Sequence, residues 1–271
     1  MPNIPETIIA MLATVSIGAI WSSCSPDFGA KGVLDRFKQI NPKLFFTING
    51  YQYNGKINNC NSKIYEIVQE LPSIEKTVIC PFLNNDISLE INNSILWDDF
   101  LDTKPSKILF TQLPFDHPLY IMYSSGTTGL PKSIVHSSGG TLIQHLKELK
   151  LHTDLRREDK IFYFTTCGWM MWNWLVTSLS VGSTIILYDG NPFYSDGTIL
   201  LKMAEDLKVT IFGTSAKYIA SLQASEIKPK NISNFSQLRT ILSTGSPLVE
   251  ENFDFVYDNW KKNVQLASIS G

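Results

Sequence analysis

The sequence predicts an α/β fold: two stacked subdomains of mixed, mostly parallel sheets covered by helices. Helical and strand-like segments alternate along almost the whole chain, and this alternation is typical of parallel sheets whose connections are helices. The composition agrees, because 44% of the 271 residues are apolar and 18% are charged, as in ordinary globular proteins. A chain of this length can bury a large core. The pattern does not place the boundary between the two subdomains.

The first third of the chain carries three helix-and-strand pairs. Apolar residues recur every three or four positions in the helical segments, whereas the strands are short apolar runs. The predicted helices lie near 5–17, 29–40 and 62–70, and the predicted strands near 19–21, 43–48 and 76–80. The next segment, 82–115, is weakly patterned, and we predict a connection across the surface.

The same alternation returns in the second half of the chain. Five predicted helices lie near 139–150, 170–180, 197–207, 215–224 and 248–261. Five predicted strands lie near 161–165, 183–188, 209–212, 238–243 and 264–267.

Charge and cysteine usage exclude several classes of protein. The net charge is −2 without a basic patch, so no nucleic-acid partner is expected. The four cysteines form no C-x-x-C pair and no cluster with histidines at metal-ligand spacing, which predicts reduced thiols and no metal site. The apolar run 8–21 is too short to span a bilayer, and no basic leader precedes it, so we predict a cytosolic enzyme. No feature predicts an oligomeric state.

Both ends of the chain are predicted to be truncated. Proline and glutamate at positions 5 and 6 suit the first turn of a helix, which therefore begins almost at residue 1. Residues 263–271 indicate a strand that enters a turn and goes no further.

The most informative segment is Y-S-S-G-T-T-G-L-P-K-S at 123–133, which follows an apolar, strand-like run at 119–122. Its glycines let backbone N–H groups approach an anion, its hydroxyls add hydrogen-bond donors, and its lysine adds a compact positive charge. These features predict a phosphate-binding loop at the end of a strand. The candidate ligands are Ser124, Ser125, Gly126, Thr127, Thr128, Gly129 and Lys132.

The spacing of this loop invites comparison with the nucleotide-binding P-loop. Pro131 stands where that motif has its second glycine, and proline has no N–H to give to a phosphate. Ile134 and Val135 are β-branched and indicate a return strand rather than a helix. We therefore predict a hairpin, in which His136 and Lys132 share one face of the second strand. A plain Ser/Gly-rich surface turn is the alternative reading of the composition.

Two further segments follow strand ends, where α/β proteins reach ligands. In T-T-C-G-W-M-M-W-N-W at 165–174, either all the bulky residues start a buried helix, or Trp169 walls a substrate pocket while the later aromatics fill the core. In S-T-G-S-P-L at 243–248, either Pro247 lies in the first turn of a helix, or Gly245, Ser246 and Pro247 form a backbone surface for a flat base. The residues alone decide neither case.

The signature loop closely resembles that of the adenylate-forming enzymes, the superfamily of acyl-CoA synthetases, firefly luciferase and peptide-synthetase adenylation domains. Three more segments resemble one branch of it, the acetoacetyl-CoA synthetases: residues 1–29, the motif G-W-M-M-W-N-W with G-S-T-I-I-L-Y-D-G-N-P, and S-T-G-S-P-L. The resemblance covers nearly the whole chain. It identifies residues 1–271 as a partial large domain of an AMP-dependent synthetase or ligase, without the small C-terminal domain.

This resemblance implies a ligase that activates acetoacetate with ATP and Mg²⁺ as acetoacetyl-AMP and transfers it to CoA. It implies that Thr127 and Lys132 are catalytic, that the remaining loop residues hold the phosphates, that residues 245–247 back the adenine, and that Trp169 shapes the acyl or CoA-facing pocket. The acidic magnesium ligand, the ribose-binding aspartate and the adenylation lysine of the family are expected beyond Gly271, so we expect the isolated chain to be a weak catalyst. The alternatives are an acetyl- or propionyl-CoA synthetase and a truncated, non-catalytic nucleotide-binding remnant.

Overall fold

The computed structural model describes residues 1–83, 91–104, 107–124 and 129–270. The chain forms two compact units, Met1–Thr141 with Thr166–Gly168 and Leu142–Thr165 with Trp169–Gly271. Each unit contains helices and a parallel sheet, so the predicted α/β class is confirmed. The helices described are α1 Pro5–Ser16, α2 Ala30–Phe37, α3 Asn61–Glu70, α4 Trp97–Phe100, α5 Ser138–Lys147, α6 Met170–Thr177, α7 Ile199–Asp206, α8 Ala216–Ala224 and α9 Glu250–Asn259.

Short irregular helices extend two of these helices, and a third stands alone. A π-helical turn, Glu148–His152, follows α5, and 3₁₀ turns occur at Ser178–Val181 and Pro229–Asn231. No helix among the described residues is long and apolar enough to cross a membrane. The four cysteines are buried thiols without a disulfide.

The first unit is built on a parallel sheet of three strands, β1 Leu44–Ile48, β4 Lys76–Cys80 and β5 Ser94–Leu96, in the order β1-β4-β5. Helix α2 covers this sheet with one apolar face, because Val33, Leu34 and Phe37 recur at helical spacing and are all buried. Residues of α3 complete the same core.

A small hairpin joins β1 to α3. Strands β2 Gly50–Tyr53 and β3 Lys56–Asn59 pair antiparallel through Asn54 and Gly55, whose φ angles are 51° and 77°. Two successive positive φ angles define the type I′ turn, whose twist matches that of the strands it joins. The second hairpin of this unit, β6 Pro118–Tyr123 with β7 Ser133–Ser137, carries the signature loop.

The second unit is built on a five-stranded sheet in which every described pairing is parallel. Its order is β12-β11-β10-β8-β9, with bounds β8 Lys160–Tyr163, β9 Thr184–Ile186, β10 Ile211–Ser215, β11 Thr240–Thr244 and β12 Gln265–Ser268. The central strands are buried, as expected for a parallel sheet covered on both faces.

One glycine of this sheet is required by close packing. A Cβ at Gly213 on β10 would overlap the ring of Tyr163 on the neighbouring strand β8. The Tyr163 hydroxyl donates to the carbonyl of Thr214, 3.3 Å away, so the ring lies along β10. Only a residue without a side chain fits beneath it.

Several predicted elements differ from the observed ones. The strand predicted at 19–21 is reduced to a single bridge between Trp21 and Tyr120. The predicted surface connection 82–115 contains β5 and α4, because Ile91 and Trp97 supply buried apolar anchors in this segment. Strand β10 begins and ends later than predicted, since its core-facing run continues through Thr214.

Candidate functional site

The signature segment forms the predicted hairpin. Strands β6 and β7 are antiparallel, and Tyr123 pairs with Ser133 next to the loop. The residues after Lys132 form a strand, so the exclusion of a P-loop helix is confirmed. The prediction that Lys132 shares a strand face with His136 is wrong, because β7 begins only at Ser133.

Backbone and side-chain hydrogen bonds close the base of the loop. The N–H of Ser124 donates to the carbonyl of Lys132 at 3.0 Å, and the N–H of Lys132 donates to Oγ of Ser124 at 3.2 Å. Gly129 and Lys132 are exposed. Within the described part of the chain the Lys132 ammonium forms no ion pair, so it is available to an anion. The other predicted phosphate ligands lie outside the described residues: Ser125, Gly126, Thr127 and Thr128.

Helix α2 holds the residue that enters the loop. The Tyr123 hydroxyl donates to the carbonyl of Arg36 at 3.3 Å, and Oγ of Ser22 donates to the Tyr123 hydroxyl at 3.4 Å. The Arg36 guanidinium lies 4.7 Å from the ring centroid of Phe28 and 5.7 Å from that of Tyr123, which are cation–π distances. Burial raises the pKa of Tyr123 to about 12, so its hydroxyl stays protonated and can donate at neutral pH.

The residue that leaves the loop is held from the same side. Nε2 of Gln39 donates to the carbonyl of Pro131 at 2.8 Å, and Oγ of Ser133 donates to Oε1 of Gln39 at 2.8 Å. The sequence prediction missed Gln39, since nothing in a local pattern links it to a proline 92 positions away.

An aromatic pair lies behind the hairpin. Tyr120 on β6 is buried and pairs with His136 on β7, with ring centroids 5.0 Å apart. Burial lowers the pKa of the His136 imidazole, so the ring is neutral at physiological pH. This pair stiffens the hairpin that presents the loop.

Trp169 differs from the tryptophans that follow it. It is the extended residue before α6, and 60% of its side chain is exposed. Trp172 and Trp174 are buried, and Nε1 of Trp174 donates to the Glu148 carboxylate at 3.1 Å. The later aromatics therefore fill the core, as both sequence readings predicted, whereas the reading that buries Trp169 with them is wrong.

The segment after β11 presents exposed backbone. Gly245 has a φ of 90°, and residues 245–247 are all exposed. Hydrogen bonds fix both sides of this segment: Oγ1 of Thr244 donates to the Ile269 carbonyl at 3.0 Å, and the N–H of Leu248 donates to Oγ of Ser268 at 3.4 Å. Helix α9 begins only at Glu250, so the placement of Pro247 in a first helical turn is wrong.

The first unit also contains a cavity of about 470 Å³. Most of its wall comes from residues 17–28, which precede α2, and from residues 40–48, which include β1; α2 and α3 add a few side chains. None of the predicted site residues that the structure describes lines it.

The described side chains offer no cluster of three His, Cys, Asp or Glu groups for a metal ion. Hydroxyls, backbone amides and one ammonium at the loop suit an anion instead.

Comparison with known proteins identifies the family. The family description "AMP-binding enzyme" matches residues 1–268. The chain belongs to the AMP-binding enzyme family. Among curated members, the acetoacetyl-coenzyme A synthetase of Rhizobium meliloti (strain 1021) is 53% identical over 274 residues, which are 100% of this chain and 42% of that protein. A more distant member, the malonamoyl-CoA synthetase vrtB of Penicillium aethiopicum, is 40% identical over 292 residues, with 99% and 40% covered.

The fold agrees with a solved AMP-binding enzyme. The acetoacetyl-CoA synthetase from Streptomyces lividans matches with a TM-score of 0.94 and 41% identity, over 100% of this chain and 42% of that chain. The predicted resemblance to acetoacetyl-CoA synthetases is therefore confirmed. The chain spans about 42% of the length of curated acetoacetyl-CoA synthetases from Rhizobium meliloti and Gallus gallus.

Proposed function

We propose that this chain is the nucleotide-binding and acid-activating part of an acetoacetate–CoA ligase. The observation that carries the proposal is the signature hairpin, whose closed base presents an ammonium without an ion pair to any described residue, next to a hydroxyl- and glycine-rich sequence. Relatives named acetoacetyl-CoA synthetase support it, because they match this chain along its whole length. We also propose that residues 1–271 form part of the large domain of an AMP-dependent ligase.

The reaction has two displacements. A carboxylate oxygen of the acid attacks the α-phosphorus of ATP, the bond from that phosphorus to the bridging oxygen breaks, and pyrophosphate leaves with the electron pair. The thiolate sulfur of CoA then attacks the acyl carbon, and AMP leaves. Transfer at phosphorus depends mostly on positioning and on charge stabilisation, so donors around the leaving pyrophosphate lower the barrier.

We assign that task to the loop. Lys132 and Thr127 contact the reacting phosphates, and the other loop ligands hold the β- and γ-phosphates: Ser124, Ser125, Gly126, Thr128 and Gly129. In the second unit, the exposed backbone of Gly245, Ser246 and Pro247 suits the flat adenine ring, and the exposed indole of Trp169 suits the acyl or CoA-facing pocket. Mg²⁺ would arrive bound to the phosphates of ATP, where it neutralises charge, and no described cluster of acidic residues holds it.

The names of the relatives limit the range of acids that we propose as substrates. Acetoacetate and malonamate both carry a carbonyl on the third carbon and differ only in a methyl or amino group beyond it. We therefore propose a 3-oxo carboxylic acid as substrate, with acetoacetate preferred, and acetate or propionate as poor substrates. The cytosolic location inferred from the sequence stays a prediction.

The test is acid-dependent exchange of labelled pyrophosphate into ATP by the 271-residue chain. Acetoacetate, malonamate, acetate and propionate are compared at equal concentration. Exchange is expected to be slow and highest with acetoacetate. Lys132→Ala is expected to lower it by roughly 10²-fold, the typical cost of removing one donor to a developing charge. Lys217→Ala, at an exposed lysine of α8, is the matched control and is expected to match the wild type.

The alternatives predict other results. Equal exchange with acetate and acetoacetate contradicts the acetoacetate assignment and favours the acetyl- or propionyl-CoA synthetase. Binding of ATP without any acid-dependent exchange contradicts ligase activity of this chain and favours the nucleotide-binding remnant.

A further inference from the structure

Gln39 bridges helix α2 and the exit of the signature loop. It lies two residues after the end of α2, and its Nε2 donates to the carbonyls of Pro131 at 2.8 Å and Asp35 at 2.7 Å. Its Oε1 accepts from Oγ of Ser133 at 2.8 Å. A primary amide has two N–H donors and one carbonyl acceptor, so every group of the side chain is used. Because two of the partners are carbonyls, which only accept, the orientation of the amide is fixed.

The entrance of the loop is attached to the same helix. The Tyr123 hydroxyl donates to the carbonyl of Arg36, three residues before Gln39. Positions three apart lie on one side of a helix. One turn of backbone at the end of α2 therefore holds both strands of the hairpin, at the point where the loop begins and at the point where it ends.

Helix α2 is itself well anchored. Its Val33, Leu34 and Phe37 are buried in the core of the first unit. Just after the helix, the Lys38 ammonium lies 2.8 Å from the Glu70 carboxylate of α3. The loop is thus attached to a fixed point of the unit rather than to another surface segment.

We propose that Gln39 is a positioning residue for phosphate binding, which rests on the proposed function of the loop. Pro131 has no N–H and a fixed φ, so its carbonyl is the group by which a neighbour can hold the backbone next to Lys132. With that carbonyl bound, the backbone N–H of Lys132 stays on Oγ of Ser124 and the loop keeps its closed base. Gln39 touches neither nucleotide nor acid; it acts through the loop.

This role makes a selective prediction about nucleotides. A loop held in place before binding loses less conformational entropy when a ligand orders it. Loss of the Gln39 bridge is therefore expected to weaken ATP binding about three- to tenfold, the range that one net hydrogen bond of about 1 kcal/mol gives. AMP lacks the β- and γ-phosphates, so its affinity is expected to stay the same.

The experiment compares Gln39→Ala and Ser133→Ala with wild type in the 271-residue chain. Lys31→Ala is the matched control, since Lys31 is an exposed residue of the same helix whose partner is Asp35. Dissociation constants for ATP and AMP are measured by calorimetry. Hydrogen exchange is followed at the amides of Ser124 and Lys132, which report the closed base without any nucleotide.

The expected result is faster exchange at both amides and weaker ATP binding in Gln39→Ala and Ser133→Ala, with AMP binding and the control unchanged. The double variant is expected to cost less than the sum of the single ones, because both remove one bridge. Unchanged exchange in Gln39→Ala overturns the proposal, as does an equal loss of ATP and AMP affinity. If wild type binds no ATP, the proposed function fails, and the amide exchange still decides whether Gln39 holds the loop.

Discussion

Tyr120 and His136 face each other across the hairpin that carries the loop. The tyrosine is buried and the histidine is half-buried, so a charge on the imidazole is poorly solvated. The same burial raises the pKa of the Tyr120 hydroxyl to about 12. Both side chains are therefore neutral at physiological pH, and their packing depends on the histidine staying so.

This pair predicts a pH dependence of stability. Burial holds the pKa of folded His136 below its ordinary value of 6.5, so the unfolded chain binds the proton first as the pH falls. The free energy of unfolding is expected to decrease from about pH 7 downward until folded His136 is also protonated. In His136→Gln this contribution disappears, because glutamine does not titrate. Thermal melts of both proteins between about pH 7.5 and 5.5 check this, and parallel curves would contradict it.

The candidate site shows what single residues reveal in a sequence. Lys132 and Ser124 can be proposed as phosphate ligands from the sequence alone, because ammonium and hydroxyl groups beside glycines suit a phosphate whatever the surrounding fold, and that role stays a prediction. Gln39 could not be proposed in this way, because its role comes from a contact with Pro131 across 92 positions. The exposure of Trp169 could be predicted only as one of two alternatives, because it depends on the residue at which helix α6 begins.

At the scale of elements, one ion pair joins the starts of two strands in the second unit. Nη2 of Arg239, just before β11, lies 2.5 Å from the Asp159 carboxylate, just before β8. The same guanidinium donates to the carbonyls of Thr153 at 3.3 Å and Asp154 at 2.6 Å. The Asp159 side chain is only 5% exposed, and besides this guanidinium its Oδ2 accepts from the N–H of Arg156 at 2.7 Å, so Arg239 supplies the opposite charge.

Arg239→Ala is therefore expected to be strongly destabilising. Removal of the guanidinium leaves the buried Asp159 carboxylate uncompensated, at a cost of about 3–5 kcal/mol. Arg156→Ala is the control, because Arg156 forms an exposed pair with Asp154 that solvent screens. Urea unfolding followed by circular dichroism compares the midpoints. A midpoint for Arg239→Ala as high as that of the control would contradict the role of the pair.

The strands also show which local signals are enough to predict an element from the sequence. The predicted strand at 76–80 matches β4, because its apolar run begins after Glu75 and Lys76 and ends at Pro81, which cannot donate to a sheet. Asn54-Gly55 is a strong hairpin signal, but the alternation of helices and strands does not include it. Strand β5 has only three residues. Its pairing with β4 could not be predicted, because no local pattern in the sequence indicates which strand it contacts.

At the scale of the whole molecule, the class of the fold followed from alternation alone, whereas the order of the strands did not. Parallel pairing joins segments far apart in the chain, such as β8 with β10, whose partners depend on how the helices between them pack. The order β12-β11-β10-β8-β9 becomes clear only in the structure.

The proposed binding of ATP has a consequence for the stability of the whole chain. A ligand that binds only the folded state adds RT ln(1 + [L]/Kd), about 2.7 kcal/mol at a hundredfold excess over Kd. For a chain of this size that corresponds to an increase in Tm of about 4–8 °C. Inorganic pyrophosphate is expected to raise Tm as well, because the proposed contacts of the loop are to the phosphates. Adenosine, which has none, is expected to raise it less.

Differential scanning fluorimetry measures all three, with Lys132→Ala as the variant whose response to ATP and pyrophosphate is reduced. If adenosine matches ATP and pyrophosphate has no effect, the phosphates do not bind at the loop.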